Sequence, residues 1–302
     1  MKMIQLFNED NLEVMKRLPD ESIDVICIDP PYLYLKNQKL ERPFDELKFF
    51  SECKRLLTKN GFIVMFGRGE SFYRWNTILS DLKFNFKEEI IWNKRRGSSP
   101  VLPITRVHET ISIFAKDSGK INNVKVCYGE IKKYDQDKVY EDIRRLQCLF
   151  GKGKMYEKVI ENLKKVKDGI DYTHAETLAT FKATKQTNNK IKCVATYQII
   201  ALEKGLKEQS IISDNSQHFG NIHPTQKPVR LIERLLALVI PKNKTPKETV
   251  IADFFAGSMS CMEAVHNMGM QGIACEIDKE YFDDGKNRID NLQPKQPELF
   301  DN

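Results

Sequence analysis

Residues 22–32 read Ser-Ile-Asp-Val-Ile-Cys-Ile-Asp-Pro-Pro-Tyr. Val25, Ile26 and Ile28 make a short apolar run of strand length, so Ser22–Ile28 is expected to be a strand buried in a sheet. Asp29, Pro30 and Pro31 then end it, because proline fixes φ and has no backbone donor for a ladder. The chain must leave the sheet there, at the carboxyl end of a strand, which is where open α/β sheets bind their ligands.

Working outward, the pattern keeps alternating. Leu40–Leu57 has helical periodicity, Asn60 and Gly61 stop it, Phe62–Phe66 is a second apolar run, and Glu70–Leu82 is helical again. Glu88–Trp92 and Thr110–Phe114 read as further strands, separated by a basic, Gly- and Pro-containing loop, Lys94–Arg106. Later, Val229–Ile240, Ser258–Met268 and Lys279–Asn291 read as helices and Thr249–Asp253 and Gln271–Glu276 as strands. Strands alternating with helices predict a parallel, doubly wound α/β sheet. From Lys116 to about Ser216 the text changes to lysine-rich helical stretches, among them Lys138–Phe150 and Met155–Lys167, so that segment is expected to be an insertion or separate lobe.

The bulk composition agrees with a globular protein: 302 residues, 41% hydrophobic and 30% charged. No apolar run reaches membrane-spanning length and the amino terminus lacks a secretory pattern, which predicts a cytoplasmic protein with no membrane partner. The seven cysteines, at 27, 53, 127, 148, 193, 261 and 275, include no close Cys-x-x-Cys pair, so reduced, mostly buried thiols are expected, and no metal. Residues 116–215 hold 20 Lys plus Arg against 14 Asp plus Glu, and the rest of the chain holds 28 of each sign. The whole positive excess therefore lies in the middle third, as a lobe that meets a polyanion would have it, although a solvated lysine-rich surface has the same composition.

Three short segments carry chemistry. At Asp29, Pro30, Pro31 and Tyr32, a carboxylate and a neighbouring carbonyl could accept the hydrogens of a poorly nucleophilic exocyclic amine, with Pro31 stiffening the turn and Tyr32 stacking on an extruded base. At Asp253, Phe254, Phe255, Ala256, Gly257 and Ser258, a strand feeds a tight glycine turn that opens a helix, and Glu276 follows at the tip of the next strand, placed like an acid that binds ribose hydroxyls. An adenosine-type cofactor would suit that pair. His223, Pro224, Thr225, Gln226, Lys227 and Pro228 head the helix that starts at Val229. Each also admits a plain structural reading: a rigid turn with a core tyrosine, a helix-packing glycine, a helix start.

Taken together and in this order, the three segments resemble the β class of amino-methyltransferases that act on DNA, over roughly residues 4–115 and 218–290. The resemblance implies a Rossmann-like, S-adenosylmethionine-dependent methyltransferase fold, circularly permuted, with a mainly helical target-recognition insertion. It implies a catalytic half at 1–115, a target-recognition lobe at 116–216, a cofactor-binding half at 217–292 and a polar tail at 293–302. It makes Asp29, Pro30, Pro31 and Tyr32 catalytic. It assigns S-adenosylmethionine to Asp10, His223, Thr225, Lys227, Pro228, Asp253, Phe255, Ala256, Gly257, Ser258, Glu276 and Ile277. Lys94, Arg95 and Arg96 are the expected phosphate contacts, and double-stranded DNA the partner, with room for a homodimer and a cognate restriction endonuclease. Trp92, Lys94, Arg106, His108 and Glu109 match the family around the basic loop, His108 being read as a structural histidine. Where the family has proline and a second glycine in its turn, this chain has Phe254 and Met259, so cofactor binding with an altered pocket floor is expected.

The implied activity is transfer of a methyl group to adenine N6. Cytosine N4 is the nearest alternative, although that chemistry more often has serine where Asp29 stands. Methylation at cytosine C5 needs a thiolate, usually a cysteine after proline, and no cysteine here follows one. Protein glutamine methyltransferases resemble the same fold with Asn-Pro-Pro-Tyr, and a degenerate DNA-binding regulator would keep the fold without the cofactor.

Overall fold

A computed structural model describes residues 3–32, 42–95, 103–135, 139, 142, 200–202, 204–214 and 226–293. The chain divides into two compact units, Met1–Asn122 with Ser210–Asn302, and Asn123–Gln209. Of the expected helix Lys138–Phe150 only residues 139 and 142 are described, both helical, and the expected helix Met155–Lys167 lies outside the described residues, as does most of the polar tail.

In chain order the larger unit contains β1 (Ile4–Phe7), α1 (Asn11–Arg17), β2 (Ile23–Ile28), α2 (Glu46–Leu56), β3 (Leu57–Gly67), α3 (Gly69–Asp81), β4 (Asn85–Asn93) and β5 (His108–Ala115). The smaller unit has β6 (Lys125–Val126), α4 (Tyr128–Lys132) and β7 (Leu206–Lys207), with β6 and β7 paired antiparallel. The larger unit resumes with β8 (Ile211–Ser213), α5 (Val229–Val239), a 3-10 turn (Pro246–Glu248), β9 (Val250–Asp253), α6 (Ser260–Asn267), β10 (Gln271–Cys275) and α7 (Lys279–Asp290).

The sheet runs β1-β10-β9-β2-β3-β5-β4-β8. β2 is buried at all six positions and pairs parallel with β3 on one side and β9 on the other. Alternation splits its side chains between the two faces. Ile26 and Ile28, with Ile63 and Met65 of β3, pack in one cluster with Val14 and Met15 of α1, Phe49, Phe50, Cys53 and Leu56 of α2, and Trp75 and Leu79 of α3. Val25, Cys27, Val64 and Phe66 therefore face the other way, where α5 is the neighbour of β2 and β3 and α6 packs on α5, β9 and β10. Each fully buried large side chain contributes about 1.5–3 kcal/mol, so this two-layered core is what holds the sheet's middle rigid. α2 is amphipathic by spacing, with Phe49, Phe50, Cys53 and Leu56 inward, and Asp45 caps it by accepting from the Lys48 amide at 3.1 Å.

Several expectations change. The helix expected from Leu40 begins only at Glu46, after the Asp45 cap. The strand expected at Phe62–Phe66 starts at Leu57, with an irregularity between the Ile23–Leu57 and Val25–Phe62 pairs. Gly61 sits in that irregularity because a Cβ there would lie 3.1 Å from the Asp24 carbonyl. β1, α1 and β8 are elements that the periodicity did not announce, being four, seven and three residues long. The sheet is also mixed rather than parallel throughout. β5 runs antiparallel to both β3 and β4.

The chain leaves β2 through α2 towards β3, and leaves β9 through α6 towards β10, in opposite directions along the sheet. Between β2 and β9 the strand order therefore reverses, and a crevice opens beyond their carboxyl ends, the usual ligand position in such sheets. Asp29 and Asp253 stand at that end, on strands that are paired at Ile26–Ala252 but far apart along the chain.

Candidate active site

Asp29 begins the turn that β2 is forced into. One carboxylate oxygen accepts the Tyr32 hydroxyl at 2.5 Å and the other accepts the Lys227 ammonium. Lys227 stands just before α5, whose N-cap is Pro228, and its ammonium also lies 3.3 Å from Glu109 and 5.3 Å from the centre of the Phe66 ring. Glu109, near the start of β5, gives its other oxygen to Lys94 at 2.9 Å. The side chains of Lys227, Lys94 and Glu109 are 7%, 11% and 13% exposed, so water screens these pairs little. Burial pushes the Asp29 carboxyl above its ordinary range, against the pull of Lys227, and Glu109 adds to the rise. Burial acts the same way on Glu109, but Lys227 and Lys94 together hold it below its ordinary value. Lys227 remains a firm cation, because the two carboxylates outweigh its own desolvation.

Across the crevice, β9 ends at Asp253, which is buried and accepts the Phe255 amide at 3.1 Å. Burial, with the charges of Asp29 and Glu276 behind it, raises its carboxyl to about 8. Phe254 turns into the core against Phe49, and Phe255 packs on Phe44 and Phe49 at 5.0 and 5.1 Å between ring centres. Gly257 has φ +47°, a left-handed conformation open to glycine at little cost, and its N–H donates to Glu276 at 2.9 Å. The other Glu276 oxygen accepts the Asp278 amide at 2.8 Å. Met259, the residue in place of a second glycine, also has positive φ, +60°, with its side chain fully buried.

These two constellations share one cavity of about 230 Å³. Of the residues expected in the site, Asp10, Asp29, Pro30, Pro31, Tyr32, Lys227, Asp253, Phe255, Ala256, Gly257, Ser258, Glu276 and Ile277 all line it. Asp10 does so while capping α1, accepting from Leu12 and Glu13 amides. Pro228 does not line it, and Lys227, grouped with the cofactor residues on resemblance, is seated on Asp29 instead. Lys94 faces inward to Glu109, whereas Arg95 is exposed with φ +61°. His108 is exposed at the start of β5. His223, Thr225 and Arg96 lie outside the described residues. Sequence reasoning missed the part of Glu109, whose signal was its place beside the basic loop, and the rim formed by Arg42 and Phe44. Arg42 reaches Asp278 at 3.2 Å.

A switch-point crevice that joins a glycine turn, an acid at the next strand's tip and a carboxylate turn defines an α/β enzyme working on a substrate beside a nucleotide-like cofactor. The profile of the DNA methylase family, of the N6 and N4 methyltransferase type, matches residues 23–287, and the chain belongs to that family. It is 25% identical over 310 residues to the Type II methyltransferase M.HinfI of Haemophilus influenzae, covering 94% of this chain and 68% of that protein. In fold it is similar to the M1.HpyAVI–SAM complex, with a TM-score of 0.56 and 18% identity over 96% of this chain and 100% of that one. The PvuII DNA methyltransferase, cytosine-N4-specific, has a TM-score of 0.58 and 14% identity over 97% and 88%. The protein is thus a DNA methyltransferase with the mixed α/β fold of these enzymes.

S-adenosylmethionine is the cofactor that goes with this family, and the lining residues fit it. The cavity wall is acidic, with Asp10, Asp29, Asp253, Glu276 and Asp278, while its cations Lys227 and Arg42 are already paired. Such a wall suits a ligand carrying a sulfonium and an ammonium. Glu276 uses one hydrogen bond per oxygen to hold the glycine turn and keeps acceptor capacity for hydroxyls. Among the described residues no helix is long and apolar enough to cross a membrane. Of the described cysteines, Cys27, Cys53, Cys261 and Cys275 are buried and unpaired by disulfides.

Proposed function

We propose that this enzyme methylates the N6 amine of adenine flipped out of double-stranded DNA. The observation that carries the reading is that Asp29 opens into the same cavity as the Gly257 turn and Glu276. A hydrogen-bond acceptor for the amine and a cofactor-binding turn are thereby neighbours.

S-adenosylmethionine supplies a sulfonium methyl already activated for displacement, so alignment and proton acceptance are what remains for the protein. Asp29 accepts one amine hydrogen and the Pro30 carbonyl the other, drawing the nitrogen lone pair out of conjugation with the ring. When the nitrogen gains its new carbon it sheds a proton, and Asp29 is the nearest base. Pro31 holds the turn, and Tyr32 supplies a ring for the extruded base. Glu276 takes ribose hydroxyls, Gly257 lets backbone approach closely, and Asp253 faces the ligand's positive charge. Arg95 and Arg96 hold phosphates, while residues 116–216, with the positive excess, read the target sequence. The likeness to a Type II methyltransferase is consistent with a cognate endonuclease as partner.

A carboxylate at position 29 favours adenine over cytosine N4. Incubation with unmethylated DNA, followed by digestion and mass analysis of nucleosides, tests this directly. N6-methyladenine is expected, lost in Asp29→Ala with donor binding kept. N4-methylcytosine alone would overturn the choice of base, and an active Asp29→Ala would overturn the role of the carboxylate.

A further inference from the structure

Four charges of alternating sign run inward from the basic loop after β4: Lys94, Glu109, Lys227 and Asp29. Lys94 meets Glu109 at 2.9 Å, Glu109 meets Lys227 at 3.3 Å, and Lys227 sits on Asp29. Buried ion pairs are poor stabilisers, since well-packed apolar side chains of similar volume often do as well. A line of four that ends on Asp29, in the same cavity as the cofactor turn, asks for another explanation.

Lys227 alone would be an unshared counter-ion for Asp29, and an acceptor so neutralised binds an amine hydrogen weakly. Glu109 changes that in two ways. It draws part of the Lys227 ammonium to itself, and its own negative charge faces Asp29 from β5. We propose that Glu109 is a positioning residue that divides Lys227 between two carboxylates and so keeps Asp29 a strong acceptor for the target amine. The proposal rests on the reading of Asp29 as that acceptor. Burial raising the Asp29 carboxyl, with Glu109 adding to the rise, agrees with it. The groups that face Asp29 are Lys227 from the segment before α5, Glu109 from β5, the Tyr32 hydroxyl from its own turn and Asp253 from β9. Lys94 acts through Glu109. Freed of Lys94, Glu109 would claim more of Lys227 and leave Asp29 more basic.

Glu109 and Lys94 therefore push Asp29 in opposite directions, which a merely structural network would not do. The test is single-turnover methylation of unmethylated DNA as a function of pH, with calorimetric binding of S-adenosylmethionine alongside. Glu109→Gln should lower the plateau rate about tenfold and move the acid limb down by about one pH unit, while Lys94→Gln should move that limb up. Donor affinity should hold in both. Limbs that stay put, or that move the same way, overturn the proposal. If Glu109→Gln does not fold, Glu109→Asp, with its carboxylate withdrawn from Lys227, should give a smaller downward shift, and an unmoved limb in it is equally fatal. An Asp29→Asn enzyme with wild-type rate would sink the underlying reading, whereas an inactive Asp29→Asn beside an unchanged Glu109→Gln profile sinks only the part given to Glu109.

Discussion

The hydroxyl of Tyr32 donates to Asp29 at 2.5 Å, three residues apart on one turn. The ring proposed to receive the base and the carboxylate proposed to receive the amine are therefore tied to each other before substrate arrives. The Tyr32 carbonyl is held as well, accepting from the Ser71 hydroxyl at 2.7 Å, so the turn itself is fixed.

Tyr32→Phe should keep methylation within about threefold of wild type, because the ring stays and only the hydroxyl tie is lost. Tyr32→Ala should lose tenfold or more, since stacking a base on an aromatic ring contributes about 1–3 kcal/mol. Steady-state kinetics on an oligonucleotide duplex separates the two. Equal losses in both variants would mean that the hydroxyl, not the ring, is what matters.

Asp253 is raised to about 8 by burial in the ligand-free protein. An acid whose folded pKa lies above its unfolded value binds more protons folded, so its contribution to stability is fully present below about pH 4 and is lost as pH climbs towards 8. Asp253→Asn should remove that loss, stabilising the ligand-free protein at pH 7.5 by roughly 2–4 kcal/mol, while weakening S-adenosylmethionine binding. Thermal denaturation between pH 5 and 8.5 reads the first and calorimetry the second. A variant no more stable than wild type at pH 7.5 would show that Asp253 is ionised in the free enzyme.

Met259 and Gly285 are matched to each other. Met259 lies left-handed and fully buried after the glycine turn, and a Cβ on Gly285 of α7 would fall 2.4 Å from its Cγ. Gly285→Ala should therefore cost about 1–3 kcal/mol by overpacking. In a Met259→Gly background only the 3.2 Å approach to the Gly257 carbonyl remains, and the same alanine should cost less than about 1 kcal/mol. A double-mutant cycle by denaturant unfolding measures that coupling, and additive effects would contradict the packing described.

Glu276→Gln keeps an amide oxygen for the Gly257 N–H but loses the charge and half of the acceptor capacity. Donor affinity should fall roughly 10- to 100-fold, about 1.4–2.8 kcal/mol, while loss of the acceptor for the Asp278 amide should lower stability by only about 1–3 kcal/mol. Unchanged affinity by calorimetry would remove Glu276 from the cofactor's partners.

Much of this arrangement was legible in the residues. Val25 to Ile28 ending in Asp29, Pro30 and Pro31 announced a buried strand and its exit, and Gly257 with Glu276 announced a second strand tip at the same sheet end. Contacts across the chain were not legible. Lys227 stands 198 positions from the Asp29 it neutralises, and no local pattern marks a lysine as the partner of a distant carboxylate. β1 escaped notice because four residues of half-buried edge strand carry little periodicity. The antiparallel β5 escaped because alternation of strands with helices had suggested parallel pairing throughout, and the basic, Gly- and Pro-containing stretch Lys94–Arg106, which carries no helical periodicity, was the signal against it.

The pairing of β2 with β9 has a consequence for how the protein is made. During synthesis β2 emerges more than two hundred residues ahead of β9, so a largely apolar strand waits with one row of amides and carbonyls unmatched until Val250–Asp253 arrive. Contacts so remote in sequence form slowly and expose aggregation-prone surface in the interval. Shortened chains that stop before residue 250 should accordingly accumulate as insoluble material, and the two halves of this enzyme are best produced together.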